Sequence, residues 1–169
     1  MGSEMCIRDR LISPTLTFEA INQFASKTMK TNVVRVPMTK EIGIDLKTTG
    51  QMVNSKTNMV YLCNPNNPTG VIMNPKELEV FCKETSKKSI VFVDEAYHEY
   101  VMDKQYRSMV SLVNEGYDVL ISRTASKVHG LAGLRVGYAI STPKIIKRLN
   151  SYMNGSLLSL IHISEPTRP

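Results

Sequence analysis

Residues 58–70 read NMVYLCNPNNPTG, and this stretch decides the fold. After Asn58 the run is apolar as far as Cys63, and it then stops at a segment of asparagine, proline and glycine. A short apolar run that ends in turn-forming residues is typical of a strand buried on both faces of a sheet. The stretch therefore predicts a buried strand with a tight loop at its carboxyl end.

The rest of the chain continues this pattern as an alternation of strands and helices. Further strands are predicted at residues 33–36, 90–93, 119–122 and 135–140. Helices are predicted at residues 18–27, 74–87 and 142–153. Asn74 and Thr142 are the expected N-caps of the last two, each followed by a proline, and Glu77 is a capping-box acid. The alternation predicts an α/β fold, a mostly parallel sheet with helices on both faces, in which ligands bind beyond the carboxyl ends of the strands.

Composition narrows the class of protein. The chain has 169 residues, the length of one ordinary domain, with 42% hydrophobic and 21% charged residues, as in a soluble globular protein. No apolar run is long enough to span a bilayer and no secretory signal is present, so no membrane association and a cytoplasmic location are expected. The lysines are scattered, so the net charge of +6 predicts no nucleic-acid partner. Cys6, Cys63 and Cys82 lack metal or disulfide spacing, and no metal site is expected.

Two ionisable residues directly follow predicted strands. Asp94 ends an apolar run, and a carboxylate at the rim of a sheet can hold a cation while partly shielded from water. Lys127 lies just past residues 119–122 and precedes a stretch of small residues, where desolvation and a nearby positive group would lower its pKa and make the amine nucleophilic. Taken alone, Asp94 also fits a turn cap, and Lys127 also fits a surface lysine.

Polar groups that could bind an anion or a ring oxygen accompany these two residues. The hydroxyls of Thr124 and Ser126, together with the guanidinium of Arg135, have the chemistry of a phosphate cradle. Arg135 fits equally well as a salt-bridged arginine at the start of a strand. Asn67 could offer its amide to a ring oxygen, although proline, asparagine and glycine are also the ordinary residues of tight turns.

Three segments together resemble a known family. CNPNNPTG (63–70), VDEAYHEY (93–100) and RTASKVHGLAGLRVGY (123–138) are similar, in order and spacing, to the signature segments of fold-type-I pyridoxal-phosphate (PLP) aminotransferases. The histidinol-phosphate aminotransferase branch is the most similar, and the resemblance covers roughly residues 11–152. It implies the large domain of such an enzyme, truncated.

The resemblance assigns the chemistry to particular residues. It implies that Lys127 forms a Schiff base with PLP, that Asp94 pairs with the pyridine nitrogen, and that Tyr97 and Asn67 hydrogen-bond the ring oxygen. In such enzymes an amino acid displaces the lysine, and the freed lysine moves a proton between the substrate α-carbon and the cofactor. The implied substrates are an amino acid, with histidinol phosphate the first candidate and an aromatic or other amino acid the second, and a 2-oxo acid.

The remaining implied contacts concern the phosphate and the ring face. Thr124, Ser126 and Arg135 would contact the cofactor phosphate, and Phe18 would stack on the ring. The family also implies a homodimer for the full-length protein.

The chain departs from the family pattern at both ends. It lacks an upstream glycine-rich phosphate segment and the C-terminal small domain that supplies the arginine for the substrate carboxylate. Residues 1–10 and 156–169 resemble translated sequencing-adapter read-through and are expected to be non-native and to pack poorly. Residues 11–155 would then be a partial PLP-binding large domain.

Two other functions remain possible from the sequence. The run SIVFVDEA (89–96) resembles the Walker B strand of P-loop nucleotide hydrolases, but no G-x-x-x-x-G-K-[ST] segment accompanies it. A non-catalytic PLP-binding regulatory module is the other alternative, distinguished by whether bound PLP is discharged by an amino acid.

Overall fold

The computed structural model describes residues 10–152, and these residues form one six-stranded sheet with helices against it. In chain order the strands are β1 (Arg10–Pro14), β2 (Asn32–Val36), β3 (Thr57–Cys63), β4 (Ile90–Asp94), β5 (Val119–Thr124) and β6 (Gly137–Ile140). The helices are α1 (Ala20–Gln23), α2 (Leu46–Met52), α3 (Pro75–Thr85), α4 (Val110–Asn114) and α5 (Pro143–Asn150). The spatial order of the strands is β2-β1-β3-β4-β5-β6. The predicted α/β class is confirmed.

The strands of the sheet are parallel except for β6, which pairs antiparallel with β5. Cys63, Asp94 and Ser122 lie side by side in the register of β3, β4 and β5, so these three strands end at one edge of the sheet. Gly137 pairs with Thr124. The antiparallel direction of β6 therefore brings its first residue to the same edge, which is called the carboxyl edge below.

Helices cover both faces of the sheet, as the side chains of β3 show. Val60 and Leu62 belong to the main core, which includes Leu78 and Phe81 of α3. Tyr61 points to the opposite face, into a smaller cluster with residues of α1 and its extension. Because successive residues of a strand point to opposite faces, this division follows from the pleat alone. An unbroken apolar run in β3 is what burial on both faces requires.

Of the two predicted helix N-caps, Asn74 is confirmed, whereas the side chain of Thr142 does not cap its helix. Asn74 caps α3, since its Oδ1 accepts from the backbone N–H groups of Lys76 (3.0 Å) and Glu77 (3.3 Å). Thr142 precedes α5 with an extended backbone, but its side chain makes no capping bond and its Oγ1 is buried without a partner among the described residues. The proline that follows Thr142 sets the first turn of α5 without help from the hydroxyl.

Several boundaries differ from the prediction. The helix predicted at residues 18–27 begins as α1 and continues as a π-helical turn, Phe24–Thr28. The strand predicted from Arg135 begins at Gly137, because Arg135 has a left-handed backbone (φ 53°) at the end of the 3₁₀ turn Ala132–Leu134. A left-handed residue cannot continue into an extended strand. β1, α2 and α4 were not predicted.

The two terminal segments are almost entirely outside the described residues. Of residues 1–10 only Arg10 is described, and it opens β1. Residues 156–169, and 153–155 of the predicted domain, lie outside as well. Within residues 10–152 no helix has the length and apolar character needed to cross a membrane.

Candidate cofactor site

The carboxyl edge collects the residues that the sequence singled out. Asn67 lies in the loop after β3, Asp94 ends β4 and Tyr97 follows it, and Thr124 ends β5 with Lys127 three residues later. Neighbouring parallel strands that end at the same edge make this convergence unavoidable. The fold thus brings together side chains that are up to 60 positions apart in the chain.

Asp94 is held by three hydrogen bonds from three directions. Ser122 Oγ (2.8 Å) and the backbone N–H of Ala96 (3.2 Å) donate to its Oδ1, and the hydroxyl of Tyr61 (3.0 Å) donates to its Oδ2. Burial, and then the charge of Asp94, raise the pKa of Tyr61 far above its ordinary value. The phenol therefore keeps its proton and remains a donor. The carboxylate is fixed in direction while part of it stays accessible.

Lys127 is placed against an aromatic ring and not in a pocket. Its Nζ lies 4.9 Å from the ring centroid of Tyr97, within the range of a cation–π contact. The side chain of Tyr97 raises the pKa of Lys127 above its ordinary value, and the slight burial of the amine opposes this only weakly. The predicted lowering of this pKa is therefore wrong for this structure, because the lysine is exposed and its close neighbour is a phenol.

A cleft of about 530 Å³ lies next to Tyr97, and its lining includes neither Asp94 nor Lys127. Its walls come from the loop after β3 and from the segment after β4, and they include Asn67, Tyr97 and Tyr100. Met102 also lines the cleft and is 92% exposed. Two of the predicted ring-oxygen ligands, Asn67 and Tyr97, thus face the same space.

The predicted phosphate ligands lie where β5 ends and β6 begins. Thr124 Oγ1 accepts from the backbone N–H of Ser126 (3.0 Å), which folds the turn after β5 back on itself. The backbone N–H of Ala125 donates to Val136 O (3.1 Å), and this bond holds the approach to β6 beside that turn. Arg135 is exposed and its Nη1 donates to Ala132 O (3.2 Å). The three side chains share the carboxyl edge, and the side-chain hydrogen bonds of Thr124 and Arg135 are to backbone atoms.

Phe18 lies on a segment that is tied to the same edge. The hydroxyl of Thr17 donates to Asn66 Oδ1 (2.9 Å), and Asn66 Nδ2 donates to Leu16 O (3.0 Å), which fixes the chain after β1 to the loop after β3. The ring of Phe18 itself is 45% exposed. It is available to a ligand but is not packed toward Asp94 by any contact in the described part of the chain.

Sequence analysis missed the buried ion pair between Glu95 and Arg123, next to Asp94. Glu95 is 1% exposed, and its carboxylate accepts from Arg123, Ser108 and the backbone N–H of Met109. Burial disfavours the charge of Arg123, but the hydrogen bonds and charges of Glu95 and Tyr138 together outweigh that effect and raise the pKa of the guanidinium. Glu95 and Arg123 each lie just after a predicted strand, but the sequence alone does not show that these two strands are neighbours or in which register they pair.

The groups at the carboxyl edge fit PLP by their chemistry. A fixed carboxylate suits a pyridinium nitrogen, a primary amine suits an aldehyde, and hydroxyls with a guanidinium suit a phosphate. Among residues 10–152 no cluster of three or more His, Cys, Asp or Glu side chains could hold a metal ion. The donor set at this edge is compatible with an organic, phosphate-bearing cofactor.

Comparison with known proteins identifies the family. The family model "Aminotransferase class I and II" matches residues 3–166. The chain belongs to the class I and II aminotransferase family. This membership assigns the strand that ends in Asp94-Glu95 to an aminotransferase and removes support for the P-loop interpretation.

Individual aminotransferases of this family are similar along most of the chain. Histidinol-phosphate aminotransferase of Brevibacillus brevis is 40% identical over 80% of this chain and 34% of its own length, and that of Moorella thermoacetica is 38% identical over 84% and 36%. The chain thus spans about a third of the length of these curated relatives.

Solved aminotransferase structures share the fold. The histidinol-phosphate aminotransferase of Sinorhizobium meliloti, in complex with pyridoxal 5'-phosphate, is 25% identical with a TM-score of 0.79, over 87% of this chain and 39% of that one. A protein of Erwinia carotovora atroseptica with a provisional histidinol-phosphate aminotransferase name is 34% identical with a TM-score of 0.81, over 86% and 43%. The sheet described above is therefore part of an aminotransferase large domain, and the family uses PLP.

Proposed function

We propose that this chain carries the PLP-binding core of a transaminase that moves an amino group between an amino acid and a 2-oxo acid. The observation that carries the proposal is the position of Asp94, Tyr97 and Lys127 at one edge of the sheet, where Lys127 contacts Tyr97 and Tyr97 lines an open cleft. A carboxylate and a primary amine on neighbouring strand ends are the two groups that PLP chemistry needs from its protein.

The role proposed for each residue follows from its chemistry and its place. Asp94 would hold the pyridine nitrogen of the cofactor, and its three hydrogen bonds fix the direction of its carboxylate for that role. When bound, PLP would supply an electron sink for the substrate α-carbon. Lys127 would hold the aldehyde end of the cofactor with its amine and would carry the proton at the substrate α-carbon. Asn67 and Tyr97 orient the ring oxygen from the wall of the cleft.

The phosphate contacts depend on the loop between β5 and β6. Thr124, Ser126 and Arg135 would supply two hydroxyls and a guanidinium. Because Arg135 is exposed and bonded only to a carbonyl of its own turn, its side chain is free to turn toward an anion at this edge. Phe18 would cover one face of the ring.

For the substrate we propose histidinol phosphate first. The support is the naming of the similar proteins from Brevibacillus brevis and Moorella thermoacetica. An aromatic amino acid is the second candidate. The groups that would recognise a substrate phosphate are not identified among the described residues, so the amino donor has to be found by assay.

For the whole protein we propose a homodimer. Exposed apolar side chains occur along the described chain, among them Phe24 (58% exposed) and Leu134 (66%). Large exposed apolar side chains are typical of surfaces that a partner covers. Light scattering on the chain, and on a full-length relative, would show whether this chain already associates.

The proposal is tested by a half-reaction. The chain is titrated with PLP while the cofactor absorbance is followed, and the loaded protein is then mixed with histidinol phosphate or with phenylalanine. We expect saturable binding and release of the matching carbonyl product, a ketone from histidinol phosphate or a 2-oxo acid from phenylalanine, measured by mass spectrometry. Saturable binding without any carbonyl product would support the regulatory module, and no saturable binding would contradict the proposed core.

Matched lysine variants provide the control. Lys127→Ala removes the amine at the carboxyl edge, whereas Lys144→Ala removes one that is 85% exposed on α5. We expect Lys127→Ala to abolish release of the carbonyl product and Lys144→Ala to leave it unchanged. Equal losses in both variants would mean that the signal does not come from this site.

A further inference from the structure

The segment from Ser108 to Met109 and the ends of β4 and β5 are joined by one buried group of polar contacts. Glu95 Oε2 accepts from Arg123 Nε (3.2 Å) and Nη2 (2.9 Å). Its Oε1 accepts from the backbone N–H of Met109 (2.9 Å), and the hydroxyl of Ser108 lies 2.8–2.9 Å from both oxygens. Arg123 Nη2 also donates to Ser108 Oγ (3.0 Å). Glu95, Ser108, Met109 and Arg123 are together called the Glu95 clamp.

The Glu95 clamp lies one residue away from the cofactor candidates on both strands. Asp94 bonds to the side chain of Ser122, and the next residue, Glu95, bonds to the side chain of Arg123. The backbone N–H of Glu95 also donates to Ser122 O (3.0 Å). Two consecutive residues of one strand end are therefore fixed to two consecutive residues of the other. Thr124 follows directly after the fixed pair.

The clamp also reaches the loop that carries Asn67. Tyr106, two residues before Ser108, donates from its hydroxyl to Asn64 O (3.3 Å). The segment from Tyr106 to Met109 is thus hydrogen-bonded to the loop after β3 at one end and to Glu95 and Arg123 at the other. The loop after β3, the end of β4 and the segment after β5 carry Asn67, Asp94 and Lys127.

We propose that Glu95 and Arg123 are positioning residues that set the distance between Asp94 and the Thr124–Lys127 segment for the bound cofactor. This inference rests on the proposed PLP site. A single rigid cofactor has to meet Asp94 with its ring nitrogen and Lys127 with its aldehyde carbon at once, so the spacing of the two strand ends decides whether both contacts form. The planar guanidinium of Arg123 donates two N–H groups to Glu95 and thereby fixes the spacing of the two strand ends. The exposed turn that follows Thr124 does not fix this spacing.

Variants of Arg123 separate positioning from simple stabilisation. Arg123→Lys keeps the positive charge but loses the two coplanar N–H groups, and Arg123→Met removes the charge. Ser108→Ala removes one hydroxyl donor without changing any charge. Lys83→Met is the control, because it breaks ion pairs with Glu79 and Glu115 far from the carboxyl edge.

The readout is taken at saturating PLP and at a temperature where circular dichroism shows each variant folded. Borohydride reduction fixes PLP covalently to the lysine that it has joined, and peptide mapping gives the share of label on Lys127.

If the clamp positions the site, Arg123→Lys weakens PLP binding by about tenfold and lowers the share of label on Lys127 even at saturation. Ser108→Ala gives a smaller loss of the same kind. If Arg123→Met does not fold, these two variants carry the test.

Three results would decide against the inference, and they are distinguishable. Wild-type labelling of Lys127 at saturation in folded Arg123→Lys and Ser108→Ala would overturn it, because a merely stabilising pair has no further effect once the variant is folded. An equal loss in Lys83→Met would overturn it as well. Scattered labelling in the unaltered chain would overturn the proposed function, and this inference with it.

Discussion

Two regions of the carboxyl edge differ in how firmly they are held. At the end of β4, Asp94 receives three hydrogen bonds and the adjacent Glu95 is buried in an ion pair. In the loop between β5 and β6, Lys127 and Arg135 are exposed, and the polar contacts of Arg135 stay within its own turn. The fold therefore fixes the carboxylate of the proposed site, but it does not fix the lysine and the arginine proposed to bind the phosphate.

The difference has a physical reason. A carboxylate at a strand end costs folding free energy unless donors satisfy it, so its partners must come with the fold. A lysine and an arginine that remain in water need no partners.

The largest expected effect comes from breaking the firm region. Arg123→Met leaves the carboxylate of Glu95 buried without its cation, and we expect the free energy of unfolding to fall by about 3 kcal/mol. The matched variant in the loose region, Arg135→Met, is expected to change it by less than about 0.5 kcal/mol. Urea unfolding followed by circular dichroism measures both. Similar losses in the two variants would remove the contrast between the regions.

A smaller effect is expected when Asp94 keeps its shape but loses its charge. In Asp94→Asn the amide nitrogen cannot accept the hydrogen bond from Tyr61, so a buried phenol loses its acceptor at a cost of about 1–3 kcal/mol. PLP affinity should fall by about tenfold or more, because a charge-assisted bond to the ring nitrogen is lost. Fluorescence titration with PLP gives the affinity.

The control for that variant lies on the other side of the site. Ser126→Ala should leave the free energy of unfolding unchanged and weaken PLP binding only slightly. If Ser126→Ala weakened PLP binding more than Asp94→Asn did, the phosphate side and not the acid side would be the prepared half of the site.

The smallest expected effect concerns the protonation of Lys127. Tyr97 raises the pKa of this amine above its ordinary value of 10.5, so the neutral, reactive form appears only at strongly alkaline pH when no cofactor is bound. Tyr97→Phe keeps the ring but removes the phenol oxygen, and the pKa of Lys127 should fall toward its ordinary value. Competitive acetylation at increasing pH, with Lys144 as internal reference, measures the midpoint. An unchanged midpoint in Tyr97→Phe would show that the phenol oxygen is not the cause.

The direction of the pKa shift of Lys127 also determines how its contact with Tyr97 affects the stability of the fold. A raised pKa in the folded chain means that the contact between Lys127 and Tyr97 stabilises the fold at neutral pH. That contribution is lost as the pH rises through the pKa of the folded chain. Because the amine is exposed, the contribution is small.

The central strands could be predicted from sequence because their signal is local. The apolar runs that became β3, β4 and β5 are short and rich in β-branched and aromatic residues, which favours a buried strand over a buried helix. β1 was missed because its five residues, RLISP, include a charge, a serine and a proline. α2, with a threonine pair and a glycine, has too weak a helical pattern to be recognised.

The site could be predicted only in part, for a different reason. Asp94 and Lys127 were singled out because Asp94 directly follows an apolar run and Lys127 lies a few residues past another. The partners of Asp94 and the Glu95 clamp depend on which strands are neighbours and in which register, and a single sequence does not contain that information. The raised pKa of Lys127 was missed because it depends on where the ring of Tyr97 points.

One measurement tests the central claim, that the carboxyl edge of this chain is an organised PLP site with Lys127 as its reactive amine. The chain is incubated with PLP and reduced with borohydride, and the modified lysine is located by peptide mass mapping, with Lys127→Ala in parallel. The account predicts label on Lys127 in the unaltered chain and none above background at other lysines in the variant. Label scattered over many lysines of a folded chain, unchanged by Lys127→Ala, would contradict it.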